Sequence, residues 1–368
     1  YAPPSGYKAL CTANLPEPAI PLPSAHFNTV LYAGDNTNSN AVTGVGFQPD
    51  FVWVKKRDTS GQDHVLQDAV RGFTPSKKLS SSSALGENNT SDGATDPRWG
   101  YISAAGSDGF TVSDNNEEGD QTNKSGGTYV SWNWKANGSG STNTVGSLDA
   151  VVSSNAAAGF SIVTYTGNGS AQSIGHGLSK DLEFLVVKNR DANASWVVQV
   201  STTVNDYMYL NGTDGIQQSS IFGLDITRSN DGTFYYGGPN YMGANGVDYL
   251  AYCFHSIEGY SKIGSYTGNG NASGPFISTG FKPAWVMVKR TDVAKDWIIL
   301  DVKRDIDNVA NHRLFPNLAD AEATAQLPMD ISSNGFKLRI SDSNYNANAG
   351  TYLYMAFAES PFKTANAR

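Results

Sequence analysis

The chain has 368 residues, a formal net charge of −8, and hydrophobic residues at 39%, with an isoelectric point near 5.1. The acidic balance argues against a nucleic-acid partner, which calls for a basic face. No apolar run is long enough to span a bilayer, and two cysteines, Cys11 and Cys253, are too few for a disulfide-stapled scaffold and read as inert thiols.

In chain order, residues 1–26 carry Pro3, Pro4, Pro16, Pro18, Pro21 and Pro23. Proline fixes φ and removes a donor, so an extended arm is expected here. Its Leu10, Leu15, Ile20 and Leu22 would be stranded in water if it hung free, so the arm should lie in a groove of its own chain or of a neighbouring copy.

From there one pattern is written three times. A Tyr and a Gly/Asn/Asp turn come first: Tyr32-Ala33-Gly34-Asp35-Asn36, Tyr165-Thr166-Gly167-Asn168-Gly169 and Tyr266-Thr267-Gly268-Asn269-Gly270. An apolar strand then ends in Val54-Lys55-Lys56-Arg57-Asp58, Val187-Lys188-Asn189-Arg190-Asp191 or Val288-Lys289-Arg290-Thr291-Asp292. A second apolar run follows at His64, Trp196 and Trp297, then a Gly-led strand, then a Gly opening an aromatic strand at Gly127, Gly246 and Gly350. Six landmarks in one order, three times, predict three copies of one module.

The strands are short, β-branched or aromatic, and bounded by Gly, Asn, Asp and Ser, which predicts antiparallel sheets. The expected fold is all-β: three tandem antiparallel β-sandwich modules, jelly-roll-like and related by internal repeat. They span residues 27–137, 159–259 and 260–362, with a flexible Gly/Ser-rich linker at 138–158 and a tail at 363–368. The second and third modules should abut stiffly at Glu258-Gly259-Tyr260. One short helix is expected over 318–326, where Ala, Glu and Gln are good helix formers and Pro328 is a stop. The first module is longer through a Ser/Asn/Asp/Gly tract between Arg71 and Trp99, either a contact surface or a partnerless polar loop.

No catalytic signature is present: no Gly-x-Ser-x-Gly elbow, no His-Glu-x-x-His, and Gly167-x-Gly169 lacks the glycine of a dinucleotide turn. His64 stands where the other copies have Trp, which reads as packing. Asp58, Asp191 and Asp292, and Asp68 with Asp301, could supply the paired carboxylates of a glycan-cleaving enzyme. Asp after a strand also caps turns, and this explains the recurrence without catalysis. The repeated Lys55, Lys188 and Lys289 read as structural landmarks that pair with those turns. For a metal, Asp114, Glu117 and Asp120 form an oxygen-rich cluster suited to Ca²⁺ but without calcium-loop spacing; a polar hairpin tip is the other reading. No other cofactor is expected. Tyr235, Tyr236, Tyr241 and Tyr345 lie in Gly/Asn-rich surroundings, and exposed tyrosines of this kind grip sugars or protein partners.

Pro3-Pro4-Ser5-Gly6-Tyr7-Lys8-Ala9-Leu10-Cys11, Gly46-Phe47-Gln48-Pro49-Asp50-Phe51-Val52-Trp53-Val54-Lys55 and Tyr129-Val130-Ser131-Trp132-Asn133-Trp134-Lys135-Ala136 resemble virion proteins of tailed bacteriophages, particularly marine ones. The resemblance implies a tail fibre or surface appendage, exposed on the virion or extracellular, with a lectin-like SPRY sandwich preceding Tyr1. It carries over no catalytic residue. The expected role is structural and adhesive rather than enzymatic, with a host surface glycan and further copies or other virion proteins as partners, and no nucleic acid or membrane. A glycan depolymerase and a secreted bacterial surface or filament protein are the alternatives.

Overall fold

The computed structural model describes residues 9, 11, 14–87, 94–114, 120–200, 203–220, 225–226, 232–237 and 241–366. The strands of the first sandwich are β1 (Phe27–Ala33), β2 (Asn40–Thr43), β3 (Phe51–Lys56), β4 (Val65–Asp68), β5 (Tyr101–Gly106), β6 (Gly109–Ser113) and β7 (Thr128–Trp134). The second has β8 (Ser141–Asn143), β9 (Ala150–Asn155), β10 (Phe160–Thr166), β11 (Gln172–Gly175), β12 (Phe184–Asn189), β13 (Val197–Val200), β14 (Asp206–Tyr209), β15 (Gln217–Gln218), β16 (Thr233–Tyr236) and β17 (Asp248–Phe254). The third has β18 (Ser261–Thr267), β19 (Phe276–Ser278), β20 (Phe281–Arg290), β21 (Trp297–Asp301), β22 (Met329–Ser332), β23 (Gly335–Leu338) and β24 (Thr351–Pro361).

The architecture is all-β, and every strand pair is antiparallel. One order recurs in the larger sheets: β1-β7-β3-β4, β10-β17-β12-β13 and β18-β24-β20-β21. A smaller sheet faces each, β2-β6-β5, β11-β16 and β19-β23-β22. The register recurs too. The first-strand tyrosine stacks on the opposite closing-strand tyrosine at Tyr32–Tyr129 (5.1 Å), Tyr165–Tyr249 (5.1 Å) and Tyr266–Tyr352 (4.9 Å).

The lysine-bearing strands are buried on both faces, which explains their continuous apolar runs. One face packs on the sandwich's own small sheet in a separate core, for example Val52, Val54, Val65, Phe110 and Val112 in the first. The other face turns inward, so that Phe51, Trp53, Trp132, Trp134, Phe160, Phe184, Trp196, Tyr252, Trp285, Trp297 and Phe357 merge into one cluster shared by all three sandwiches. Its centre leaves a void of only ≈ 30 Å³, about the volume share of one water. The buried apolar surface of this shared core is the main force holding the sandwiches together.

Three expectations change. The 138–158 segment is not a loose linker: β8 and β9 extend the second sheet beside β10. No helix forms over 318–326, because its backbone bonds elsewhere: Ala319 O accepts from Gln62 N, Ala321 N donates to Ser60 Oγ, and Glu322 N donates to Arg57 O. The described part of the tract after Arg71 is a contact surface, but against the same chain: Ser80 and Ser81 are buried, while 88–93 lie outside the described residues. In the arm, Ile20 is 3% exposed and joins the central cluster, whereas Leu22 stays 62% exposed. The arm is tied to the C-terminal segment by Lys363 Nζ, which donates to Leu15 O at 3.0 Å and Glu17 Oε1 at 2.5 Å.

Candidate functional site

The repeated lysines sit at the seams between sandwiches. All three are buried, and each amino group donates to the carbonyl of the following residue and to a carbonyl on the preceding sandwich. Lys188 Nζ reaches Asn189 O at 2.6 Å and Ala84 O at 3.0 Å. Lys289 Nζ reaches Arg290 O at 2.8 Å and Thr213 O at 2.9 Å. Lys55 Nζ reaches Lys56 O at 3.0 Å and Ala319 O at 3.3 Å. The first sandwich thus clasps the second, the second the third, and the third the first, which closes a ring within one chain. Burial lowers the lysines, Lys188 to about 7 and Lys55 and Lys289 to about 8.

The His/Trp exchange belongs to the same clasp. Trp196 Nε1 donates to Ser80 O at 2.7 Å and Trp297 Nε1 to Tyr209 O at 2.9 Å. His64 Nδ1 accepts from Trp53 Nε1 at 2.8 Å, which places its hydrogen on Nε2, 2.9 Å from Phe315 O. Each ring therefore supplies an N–H to the preceding sandwich, a role beyond the packing expected from sequence. Burial, with Lys55 adding, holds His64 well below the usual histidine range.

Two seams add charge. Glu87 takes Arg71 of its own sandwich and Arg190 of the next, while Glu322 takes Arg304 and, across the seam, Arg57. Asp68 and Asp301 pair with Arg71 and Arg304, each at 2.6 Å. They also accept from Tyr252 OH at 2.9 Å and Trp132 Nε1 at 3.0 Å, again across the seams. A carboxylate held by a neighbouring guanidinium in a buried ion pair is a structural group, not a free acid–base post. Asp58, Asp191 and Asp292 receive the first N–H of the closing strand, from Thr128, Asp248 and Thr351, a bond to a distant strand where a cap on their own turn was expected.

Of the four tyrosines singled out for binding, two are not exposed. Tyr236 is buried, stacked 5.9 Å from Tyr165 over Gly243, where a Cβ would come within 2.0 Å of its ring. Tyr345 is buried in the core of the third sandwich. Tyr235 is half-buried, its backbone bridged to Asp225. Tyr241 alone is well exposed, at 47%.

Tyr241 borders a groove of ≈ 240 Å³ with Asn189, Asn193, Ser195, Tyr209 and Met242. Asn189 lines this groove at the end of β12. At the same place in the first, Lys56 reaches out to Asp120 at 3.4 Å; in the third, Arg290 donates to Ser343 O at 3.2 Å and lies over the Tyr352 ring. Asn189 is too short for that. It folds back instead, its Oδ1 accepting from Asp191 N and Ala192 N, both at 3.0 Å. The groove lies at this strand end, and among the described lining residues no side chain is charged. Burial, with Tyr207, Tyr241 and Asp214 adding, pushes the Tyr209 hydroxyl up to about 12. Asn189 was visible in sequence as the odd residue among Lys56, Asn189 and Arg290, but its consequence depends on what the longer side chains reach.

Of the suggested metal ligands, Asp114 is buried, Asp120 pairs with Lys56, and Glu117 lies outside the described residues. Among those described, no group of His, Cys, Asp and Glu is arranged to hold a metal, and no helix is long and apolar enough to cross a membrane. Cys11 and Cys253 are free.

No curated protein and no solved structure matches the chain significantly. One family model matches residues 22–361 as a single span, taking in all three sandwiches and the end of the arm. That span covers nearly the whole chain, which therefore belongs to the DUF7483 family, a domain of unknown function.

Proposed function

We propose that the chain is a structural and adhesive part of a virion surface appendage, of the tailed-phage fibre type, that contacts host-surface glycans and performs no chemistry of its own. The observation that supports this reading is where the recurring ionisable residues go. Lys55, Lys188 and Lys289 close the seams, and Asp68 and Asp301 are locked into arginine pairs. Asp58, Asp191 and Asp292 cap the closing strands. A ring clasped at every seam is a stiff body suited to bearing load, and its binding groups are neutral and aromatic rather than acid–base pairs.

The test is incubation of the purified chain with a panel of bacterial surface polysaccharides, with retention and product formation measured together. Retention of at least one polysaccharide, with no new reducing ends and no unsaturated products, is the expected result. Turnover abolished by changing one carboxylate overturns the non-catalytic reading, and retention of none overturns the adhesive one. Immunogold labelling of particles with antibody against the chain tests the location on an appendage.

A further inference from the structure

The geometry points to the groove beside Tyr241 as a subsite for a single neutral hexopyranose ring, an inference that rests on the adhesive reading above and narrows it to one place and one ligand class.

Size comes first. At ≈ 240 Å³ the groove lies below the ~300–1,000 Å³ of sites for drug-sized ligands, so it takes one ring and not a folded peptide or an extended chain. The lining chemistry comes second. A pyranose has an apolar C–H face and a rim of hydroxyls, each both donor and acceptor. Tyr241 supplies a half-exposed aromatic surface for the former. For the rim, Asn193 is exposed and offers both amide functions. Ser195 accepts from Asn211 at 3.3 Å and keeps its own O–H to donate. Asn189 spends its oxygen on the Asp191 and Ala192 amides, which leaves its NH₂ as a donor.

Charge decides between neutral and anionic sugars. Among the described lining residues a uronate or phosphorylated sugar would meet no cation: the nearby Lys188 is committed to the carbonyls of Ala84, Asn189 and Ala194, and Arg190 to Glu87. An anion would also approach a chain of net charge −8. The other two sandwiches cannot offer the same subsite, since Lys56 and Arg290 bridge the equivalent gap, so one ring per chain is expected.

Saturation-transfer NMR and calorimetry with the methyl glycosides of glucose, galactose and mannose, and with methyl glucuronoside, test the inference on the full chain. At least one neutral glycoside should bind with a Kd on the order of 1 mM, and Tyr241→Ala should weaken it about tenfold, equivalent to about 1.4 kcal/mol, with unchanged melting temperature. Asn193→Ala, also at the surface, should weaken it without touching the aromatic face. The inference is overturned if no neutral glycoside binds, if glucuronoside binds as well as or better than the neutral sugars, or if binding survives Tyr241→Ala. Retention of a whole polysaccharide that is indifferent to Tyr241→Ala sinks this subsite while the adhesive reading stands; retention of no polysaccharide by the wild-type chain sinks that reading itself.

Discussion

Arg190 Nε and Nη2 grip the Glu87 carboxylate at 2.8 and 3.1 Å across the first seam, and the residues standing in the same relation at the seam between the second and third sandwiches are Thr291 and Ile216. The equivalence is set by the backbone: Glu87 N donates to Arg190 O, Glu322 N to Arg57 O and Ile216 N to Thr291 O. The loss of charge there is concerted. Val200 holds the register position of Asp68 and Asp301, and Met355 that of Tyr252 and Trp132. Both lie in the central cluster. Changing one member of such a set would strand a buried charge, so the set changes together.

Removing Glu87 tests the charged seams. Glu87→Ala leaves Arg71, whose side chain is fully buried, short of one partner and Arg190 with only its longer contact to Asp248, and should cost about 3 kcal/mol in chemical denaturation. A loss below about 1 kcal/mol would show that the pair is no more than a surface contact.

The same carboxylate sets an acid limit. Arg71 and Arg190 hold Glu87 down to about 2 despite its burial. A depressed acid contributes stability that is complete above the unfolded value near 4.3 and is lost as pH falls toward 2. Glu87→Gln should flatten this part of the pH–stability curve. An unchanged acid slope in the variant would remove Glu87 as its cause.

The neutral seam should accept the charged solution. Ile216→Glu alone puts a carboxylate opposite Thr291 and should destabilise, and Thr291→Arg alone should gain nothing. The double variant should recover about 1 kcal/mol or more as coupling energy in a double-mutant cycle. Strict additivity would mean that the neutral seam is not geometrically equivalent to the other two.

His64 should not titrate. Its Nδ1 accepts from Trp53 and its Nε2–H donates to Phe315 O, and protonation would turn the accepting nitrogen into a donor facing a donor. ¹⁵N NMR should show the neutral Nε2–H tautomer unchanged from pH 5 to 8. His64→Phe should cost about 2 kcal/mol by leaving two buried groups unpaired. A protonation midpoint near 6.5 would contradict the buried clasp.

Strand positions were legible because the signals are local: glycine and asparagine at turns, and apolar runs ending in Val-Lys. That Asp58, Asp191 and Asp292 accept from backbone N–H groups was readable, but not that the donors stand on the distant closing strands. The seams were not, since Trp196 finds Ser80 and Trp132 finds Asp301 only once three cores have met. Residues 318–326 have helix-forming composition yet form no helix, because Lys55, Ser60 and Arg57 supply partners that a helix would forgo. Tyr236 and Tyr345 misled through their Gly/Asn neighbours: glycine beside a tyrosine here makes room for a buried ring, as at Gly243, and does not mark an exposed loop.

The lysine clasps predict how the ring responds to alkali. A free lysine titrates near 10.4, whereas burial brings Lys188 to about 7 and Lys55 and Lys289 to about 8. Between these values the unfolded chain binds more protons than the folded one, so stability should rise with pH from about 7 to 10. Beyond that the buried tyrosines, whose hydroxyls burial raises, reverse the slope, because only the unfolded chain ionises them. Lys188→Met keeps the stem but cannot donate to Ala84 O, Asn189 O and Ala194 O. It should cost about 2–4 kcal/mol at pH 6, where the ammonium carries three donors, since each stranded carbonyl costs about 1–3 kcal/mol and partial rehydration limits the sum. The rise between pH 7 and 10 should also shrink, by up to about 1.4 kcal/mol per pH unit for one titrating group. Equilibrium unfolding in urea at a series of pH values measures both quantities. A variant as stable as the wild type, or one whose rise is undiminished, would mean that Lys188 does not hold the seam.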